Sequence, residues 1–173
     1  MPITKLENKK EIAIDTLLFQ FEKVKGFDFR AGHFIFIALP QLAENIDGGN
    51  KRYFSIASPP DAEYIDIVMR RGISPFKRVM EALRVGDEIE IGGPYGKFFL
   101  PQSTAKPVVF LAGGIGITPF RSLISDAIAK KRDYKLYLFY SNNKPEDAAF
   151  LDEFMSLKKP SPNFTFIPTM TQI

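Results

Sequence analysis

In the first hundred residues, short apolar runs alternate with turns, which is the pattern of an all-β region. The turns are marked by Gly, Pro, Asp and Asn, whose backbone preferences favour chain reversal. The apolar runs predict strands at residues 11–21, 33–39, 52–58, 64–70, 88–91 and 97–100. Short strands connected in this way are typical of a small β-barrel.

A single helix interrupts these strands. Ser74 is suited to cap it, and Pro75 is suited to its first position, where a missing N–H has no helical partner in any case. The apolar positions recur at helical spacing, at Phe76, Val79, Met80 and Leu83.

After Pro101 the pattern changes to strands that alternate with helices. One helix has an apolar face from Phe120 to Ile128, and a second is predicted at residues 146–157. The strands are predicted at residues 108–112, 135–140 and 164–168. Because parallel strands need a crossover between them, this alternation predicts a parallel sheet.

The two patterns divide the chain into a β domain at residues 1–101 and an α/β domain at residues 106–173. Between them lies a polar segment without an apolar period. The sequence stops just after the third parallel strand, so we expect the second domain to be incomplete and the chain to be truncated at its C-terminus.

Composition narrows the possible functions. Hydrophobic residues make up 45% of the chain and aromatic residues 13%, which is typical of a globular protein. The net charge of +3 is too small to indicate nucleic-acid binding, although it is compatible with a weakly acidic protein partner. The chain has no Cys, which excludes disulfides and Cys-ligated iron–sulfur clusters within it. We see no metal-ligand cluster, no secretory signal and no membrane span, and we expect a cytoplasmic protein.

The first candidate site is Arg52-Tyr53-Phe54-Ser55, on a predicted strand. A flavin dinucleotide needs a cation at its phosphates, an aromatic face along its ring and a hydrogen-bond donor near the atom that accepts hydride. Arg52, Phe54 and Ser55 match these needs, and strand alternation places Arg52 and Phe54 on the same face.

The second candidate is Arg70-Arg71-Gly72-Ile73-Ser74, which ends a strand and begins the helix. Free N–H groups at a helix start and adjacent arginines are suited to bind phosphate. Ordinary capping by Ser74 explains the segment about as well, so both interpretations stay open here.

The third candidate is Gly113-Gly114-Ile115-Gly116-Ile117-Thr118-Pro119, between an apolar strand and a helix. A dinucleotide pyrophosphate is bound in such a setting, although the spacing differs from G-x-G-x-x-G. Thr118 is also a candidate helix cap. After the next strand come Ser141 and Asn142, at the position that commonly selects between NAD and NADP, and neither cofactor is favoured.

The order of these motifs resembles that of the ferredoxin–NADP reductase superfamily. The matching segments are Arg52-Tyr53-Phe54-Ser55, Gly72-Ile73-Ser74, Gly92-Gly93-Pro94-Tyr95-Gly96 and Gly113-Gly114-Ile115-Gly116-Ile117-Thr118-Pro119. The resemblance implies an antiparallel Greek-key β-barrel that binds FAD, less often FMN, followed by an α/β domain that binds NAD(P)H. The sequence departs from the family pattern in three ways. Phe54 stands where Tyr is usual, and Gly72 and Ser74 are separated by one residue instead of two. The Cys-Gly-Pro-like segment and the C-terminal aromatic residue of many relatives are not found in these 173 residues.

The resemblance also implies residue roles. Ser55 and Thr118 would lie at the reacting atoms, Thr118 nearest the nicotinamide. Contacts to FAD would come from Arg52, Tyr53, Phe54, Ser55, Val68, Met69, Arg70, Gly72, Ile73 and Ser74. Contacts to the pyridine nucleotide would come from Gly113, Gly114, Gly116, Thr118, Ser141 and Asn142.

The implied function is an NAD(P)H-dependent flavoprotein reductase that moves hydride between NAD(P)H and FAD. Electrons would then pass to a redox protein such as ferredoxin or flavodoxin. The alternative is a non-catalytic subunit that binds flavin or nucleotide within a larger electron-transfer complex.

Overall fold

The computed structural model describes residues 1–42, 49–157 and 161–172. Residues 43–48 of the predicted β domain, and residues 158–160 and 173 of the predicted α/β domain, lie outside the described residues. The described strands form a six-stranded sheet and a three-stranded sheet.

The six-stranded sheet contains every strand that the structure describes in the first hundred residues. These are β1 (Ile3–Ala13), β2 (Thr16–Glu22), β3 (Phe34–Ala38), β4 (Lys51–Ser55), β5 (Tyr64–Arg70) and β6 (Glu88–Tyr95). They lie in the order β4-β3-β6-β1-β2-β5, and every pair is antiparallel. Just after β4, the N–H of Ala57 donates to the carbonyl of Asp66 on β5 (2.8 Å), which brings the two edge strands together. The predicted antiparallel Greek-key β domain is confirmed.

The strands predicted at residues 52–58 and 88–91 form with other ends, and two further predictions differ more from the structure. The run predicted at residues 11–21 is a hairpin, and Asp15 in its turn has a φ of 53°. Strand β1 begins at Ile3, eight residues before the predicted start. Charged residues outnumber apolar residues along this strand, and of its side chains only Thr4 and Leu6 are buried. The strand predicted at residues 97–100 does not form, because the chain leaves the sheet after β6 at Gly96, whose φ is 108°.

Helix α1 (Pro75–Ala82) forms where the sequence predicts it. Its buried residues Phe76 and Met80 belong to the core of the β domain. The hydroxyl of Ser74 accepts a hydrogen bond from the N–H of Lys77 (3.4 Å), so the capping interpretation of Ser74 is confirmed.

The second sheet is parallel. It consists of β7 (Val108–Gly113), β8 (Leu136–Asn142) and β9 (Phe164–Met170), connected through α2 (Thr118–Ala129) and α3 (Leu151–Leu157). Helix α3 is shorter than predicted, because a separate 3₁₀ turn forms at Pro145–Asp147 and Phe150 has a φ of 62°. Among the described residues, no helix is both long and apolar enough to span a membrane.

The two sheets share a packed boundary. The hydrophobic core around β7, β8 and α2 also contains residues of the β domain: Leu18, Ala31, Ala57 and Val68. The N–H of Ile14 donates to the carbonyl of Glu146 across the same boundary (2.9 Å). The C-terminal ends of β4 and β5 therefore lie beside the start of α2.

Candidate functional site

A groove of about 530 Å³ lies between the two sheets, and we call it the interdomain groove. Its walls come from β4, β5, the first turn of α1 and the start of α2. The lining residues are Tyr53, Phe54, Ser55, Val68, Met69, Arg70, Lys77, Ile115, Gly116, Thr118 and Pro119. Eight of these residues are among those that the sequence predicts as site residues, so the fold brings the first and third candidate motifs together.

Strand β4 supplies an aromatic and a cationic side chain on one face. Arg52 and Phe54 both lie against Phe76 of α1, with the guanidinium carbon 5.3 Å from the ring centroid and the two rings stacked at 6.1 Å. Tyr53 lies on the opposite face, is 70% exposed and packs edge-on against Phe34 at 5.8 Å. The alternation predicted for this strand is observed.

Two arginines near the groove have no carboxylate partner within the described part of the chain. Arg52 donates only to the carbonyls of Lys51 (2.8 Å) and Gly49 (3.4 Å) there. The guanidinium of Arg70 is placed so that a Cβ on Gly114 would lie 3.4 Å from it. Both cations are therefore available to an anion, and Arg70 lies where the β domain meets the loop of residues 113–117.

The loop of residues 113–117, called here the glycine loop, joins β7 to α2. Gly114 has a φ of 49°, a left-handed conformation that residues with a side chain rarely adopt. A Cβ on Gly116, in contrast, would meet no atom within 4 Å. The loop therefore leaves open space at its surface for a ligand to approach its backbone.

Thr118 does not act as the helix cap that the sequence allows. Helix α2 begins at Thr118 itself, and the residue before it is already in a right-handed helical conformation. The Thr118 hydroxyl donates to the carbonyl of Ile115 (3.2 Å), which closes the 3₁₀ turn before the helix. The threonine is thus fixed at the end of the glycine loop, within the groove.

The segment from Gly72 to Ser74 contributes less than the sequence suggests. Ser74 serves as the cap of α1, Ile73 is exposed, and Arg71 forms ion pairs with Glu81 and Glu11. None of these residues lines the interdomain groove.

Lys77 is a site residue that the sequence reasoning missed. It lines the groove, and its ammonium would lie 3.1 Å from a Cβ on Gly72. The sequence shows a cation three residues after the cap, but only the structure shows that it faces the groove.

Tyr140 is a second residue that the sequence reasoning missed. Its side chain is fully buried beneath the glycine loop, and its hydroxyl donates to the carbonyl of Gly114 (3.1 Å). Burial raises its pKa to about 12. The periodicity of β8 marks Tyr140 as a core position but gives no sign that its hydroxyl holds the loop.

The predicted residues Ser141 and Asn142 lie at the end of β8, where Ser141 pairs with Gly113 of the neighbouring strand. Ser141 is exposed. The amide of Asn142 is buried, and neither its oxygen nor its nitrogen forms a hydrogen bond of good geometry within the described residues, although the amide lies close enough to the Tyr140 hydroxyl to lower the pKa of that tyrosine. Burying a polar group without a full set of partners is costly, and hydrogen bonds from a bound ligand or a water molecule would relieve that cost.

The donor set fits a flavin dinucleotide together with a second dinucleotide. Phe54 provides an aromatic face and Ser55 a hydroxyl in the groove. Arg70 and Lys77 line the groove as cations for phosphates, and Arg52 is a third cation on the neighbouring part of β4. The glycine loop at the end of a parallel strand offers backbone N–H groups to a second pyrophosphate.

Comparison with known proteins agrees with this arrangement. Residues 3–100 match the family model of the oxidoreductase FAD-binding domain, and residues 110–173 match that of the oxidoreductase NAD-binding domain. The chain is 32% identical over 147 residues to the reductase component DmpP of phenol 2-monooxygenase from Pseudomonas sp. strain CF600. That match covers 83% of this chain and 40% of the relative, so the chain spans less than half the length of this curated relative.

Solved structures share the fold. The cytochrome P450 reductase GcoB of Amycolatopsis superposes with a TM-score of 0.83 at 24% identity, over 99% of this chain and 53% of that one. Ferredoxin-NADP+ reductase from Plasmodium falciparum gives a TM-score of 0.83 at 19% identity, over 98% of this chain and 70% of that one. With an FAD-binding domain followed by an NAD-binding domain, the chain belongs to the ferredoxin–NADP reductase superfamily.

Proposed function

We propose that this chain is the flavin- and nucleotide-binding part of an NAD(P)H-dependent reductase that passes electrons to a separate acceptor. The observation that carries the proposal is the interdomain groove, because β4 and β5 line it from one side and the glycine loop and α2 line it from the other. A reaction between two bound cofactors requires their reacting atoms to approach within about 3–3.5 Å, and a shared groove meets that requirement.

On the flavin side, we assign Arg52 to the phosphates and Phe54 to one face of the ring system. The assignment of Arg52 is supported by the lack of a carboxylate partner for it among the described residues. The assignment of Phe54 is supported by its position on the groove wall. Ser55 would direct its hydroxyl toward the ring atom where hydride arrives. Bound flavin would accept a hydride and release electrons one at a time or as a pair.

On the nucleotide side, we assign the glycine loop to the pyrophosphate and Thr118 to the nicotinamide end. The 3₁₀ turn holds the loop backbone at the end of β7, and the Thr118 hydroxyl is fixed within the groove. Asn142 would gain hydrogen bonds from a nucleotide, which would satisfy its buried amide.

The acceptor is proposed to be a redox protein such as ferredoxin or flavodoxin, with an oxygenase component or a quinone as the other candidates. One relative is the reductase component of a phenol 2-monooxygenase, and another is a plasma membrane-associated coenzyme Q6 reductase from Saccharomyces cerevisiae. We also propose that the protein is cytoplasmic and that residues 101–106 separate the flavin-binding domain from the nucleotide-binding domain.

The test is a visible absorption spectrum of the full-length protein, as isolated and after addition of FAD or FMN. An anaerobic titration with NADH and NADPH follows. We expect retained FAD whose absorption bleaches with one of the two nucleotides. Retained flavin that neither nucleotide reduces would instead establish the non-catalytic subunit, and failure to retain either flavin would refute the flavin assignment.

A further inference from the structure

Arg121, on the second turn of α2, connects both sides of the interdomain groove. Its Nη1 donates to the carboxylate of Asp66 (2.8 Å) and to the carbonyl of Ala57 (3.1 Å), both in the β domain. Its Nε donates to both carboxylate oxygens of Glu153 on α3, at 2.8 Å and 3.0 Å. The guanidinium also lies 4.4 Å from the ring centroid of Phe150.

The ion pair between Arg121 and Asp66 is largely removed from solvent. The side chain of Arg121 is 15% exposed and that of Asp66 is 6% exposed. Burial by itself lowers the pKa of Arg121, but Glu153 and Asp66 outweigh it and raise that pKa above its ordinary value. Because desolvation offsets much of the attraction, a buried ion pair is a poor source of stability and is better suited to fixing one geometry.

The partners of Arg121 are direct neighbours of the groove. Ala57 lies two residues after Ser55, and Asp66 lies two residues before Val68 on the same face of β5. Arg121 itself lies three residues after Thr118 and therefore on the same side of α2. The ion pair thus connects the strand ends that form the flavin side with the helix that carries the nucleotide side.

A second contact fastens the same two elements. The hydroxyl of Ser122 donates to the carbonyl of Ser58 (2.7 Å), and both residues are fully buried. The hydroxyl of Ser58 in turn accepts from the N–H of Asp66 (3.0 Å), while Gln20 donates to the other carboxylate oxygen of Asp66 (3.0 Å). Hydrogen bonds within the β domain therefore fix the position of Asp66, and Arg121 binds a carboxylate that is already oriented.

We propose that Arg121 is a positioning residue that sets the orientation of the α/β domain against the β domain and thereby the width of the interdomain groove. The proposed effect of Arg121 on domain orientation rests only on the hydrogen bonds and ion pairs described above. The consequence for reaction rate rests on the proposed function, because a change of about 1 Å between reacting groups can slow transfer by about 100-fold.

The first measurement is the distance between the domains in the full-length protein. The 173 residues contain no Cys, so cysteines introduced at the exposed positions Glu88 and Lys135 are unique within them and can carry spin labels, once any cysteine elsewhere in the protein is replaced. Arg121→Met keeps the length of the side chain and removes its charge. The matched control is Arg132→Met, which removes an arginine that is 47% exposed and pairs with Asp126 of the same domain at 3.7 Å.

We expect the interdomain distance distribution to broaden or shift in Arg121→Met and to stay as in the parent in Arg132→Met. The proposal would be overturned if the interdomain distance distribution of Arg121→Met had the same width and the same mean as that of the parent. If Arg121→Met does not fold, Asp66→Asn combined with Glu153→Gln removes the charged partners at nearly constant volume, and the same criterion applies to it.

The second measurement is the rate of flavin reduction at saturating NAD(P)H. We expect this rate to fall by about 10- to 100-fold in Arg121→Met, with a smaller change in nucleotide dissociation constant, and to recover in part in Arg121→Lys. An unchanged limiting rate would refute the link to catalysis. If the parent protein itself is not reduced, the proposed function fails while the distance measurement still decides the role of Arg121.

Discussion

The two sides of the interdomain groove are built in different ways. The flavin side consists of strand side chains, chiefly Arg52 and Phe54, which stand on regular β-structure and are supported by Phe76. The nucleotide side consists mainly of backbone, in a glycine loop whose conformation depends on Tyr140 beneath it and on the start of α2. Loss of the Arg52 side chain should therefore leave the glycine loop in place, whereas a change of backbone conformation in the loop should disturb the nucleotide side directly.

Among substitutions on the two sides of the groove, Arg52→Met is expected to have the greatest effect. Loss of charge-assisted hydrogen bonds to a phosphate costs about 2–3 kcal/mol, which corresponds to a roughly 30- to 150-fold weaker affinity for FAD. The methionine keeps the apolar contact with Phe76, so the unfolding free energy changes little. Equilibrium titration with FAD measures the effect.

The exposed arginine Arg84 of the same domain provides the control, as Arg84→Met. Equal FAD affinity in Arg52→Met and Arg84→Met would show that Arg52 does not bind the phosphates.

A smaller effect is expected for Gly114→Ala, which tests the backbone side. A left-handed conformation costs a residue with a Cβ about 1–2 kcal/mol, and the new methyl group would contact Arg70. We expect the free energy of unfolding, measured with denaturant, to fall by that amount and nucleotide affinity to weaken, while FAD affinity stays near that of the parent.

Gly116→Ala is the matched control, since a Cβ there would meet open space and Gly116 is not among the glycines with a positive φ. If both alanine variants are as stable as the parent, the nucleotide side does not depend on the left-handed conformation of Gly114.

The next effect in size is expected for Tyr140→Phe. This variant leaves the carbonyl of Gly114 without its hydrogen bond from below and should lower the free energy of unfolding by about 1 kcal/mol. Tyr137→Phe, on the same strand but only half-buried, should change it by less than about 0.5 kcal/mol. A Tyr140→Phe protein as stable as Tyr137→Phe would mean that the hydroxyl does not support the loop.

The last expected effect is confined to alkaline pH and concerns the same variant. The pKa of tyrosine is about 10 in an unfolded chain, whereas that of Tyr140 is raised to about 12 in the fold. A raised pKa stabilises the folded state below pH about 10, and this contribution is lost as the pH rises from about 10 to about 12. The stability difference between the parent and Tyr140→Phe should therefore shrink over that interval, and a difference that stays constant would contradict the assignment.

The elements that the sequence predicts best are those whose structure is decided by a single apolar period. The strand at residues 64–70 and helix α1 follow directly from their apolar spacing, and both form with the predicted bounds or within a residue of them. Strand β1 was missed because its charged residues obscure the alternation, and the strand predicted at residues 97–100 failed because Gly96 turns the chain away.

In the candidate site, the sequence likewise predicts the residues that belong to a local pattern and misses those that act through long-range contacts. Its motif residues were visible because glycines and arginines at strand ends have a recognised chemistry. Tyr140, Lys77 and Arg121 were not, because each acts through a contact made only when distant segments meet. No local pattern distinguishes a core tyrosine from one whose hydroxyl holds a loop.

The shared core has a consequence for how the chain unfolds. Leu18, Ala31, Ala57 and Val68 belong to the β domain by sequence, yet they pack within the cluster that forms the interior of the α/β domain. Separating the halves at residues 101–106 would expose these apolar side chains to water, so neither half retains its full interior alone. The boundary that is evident in the sequence is thus not an energetic boundary, and the two halves are expected to melt together in one cooperative transition.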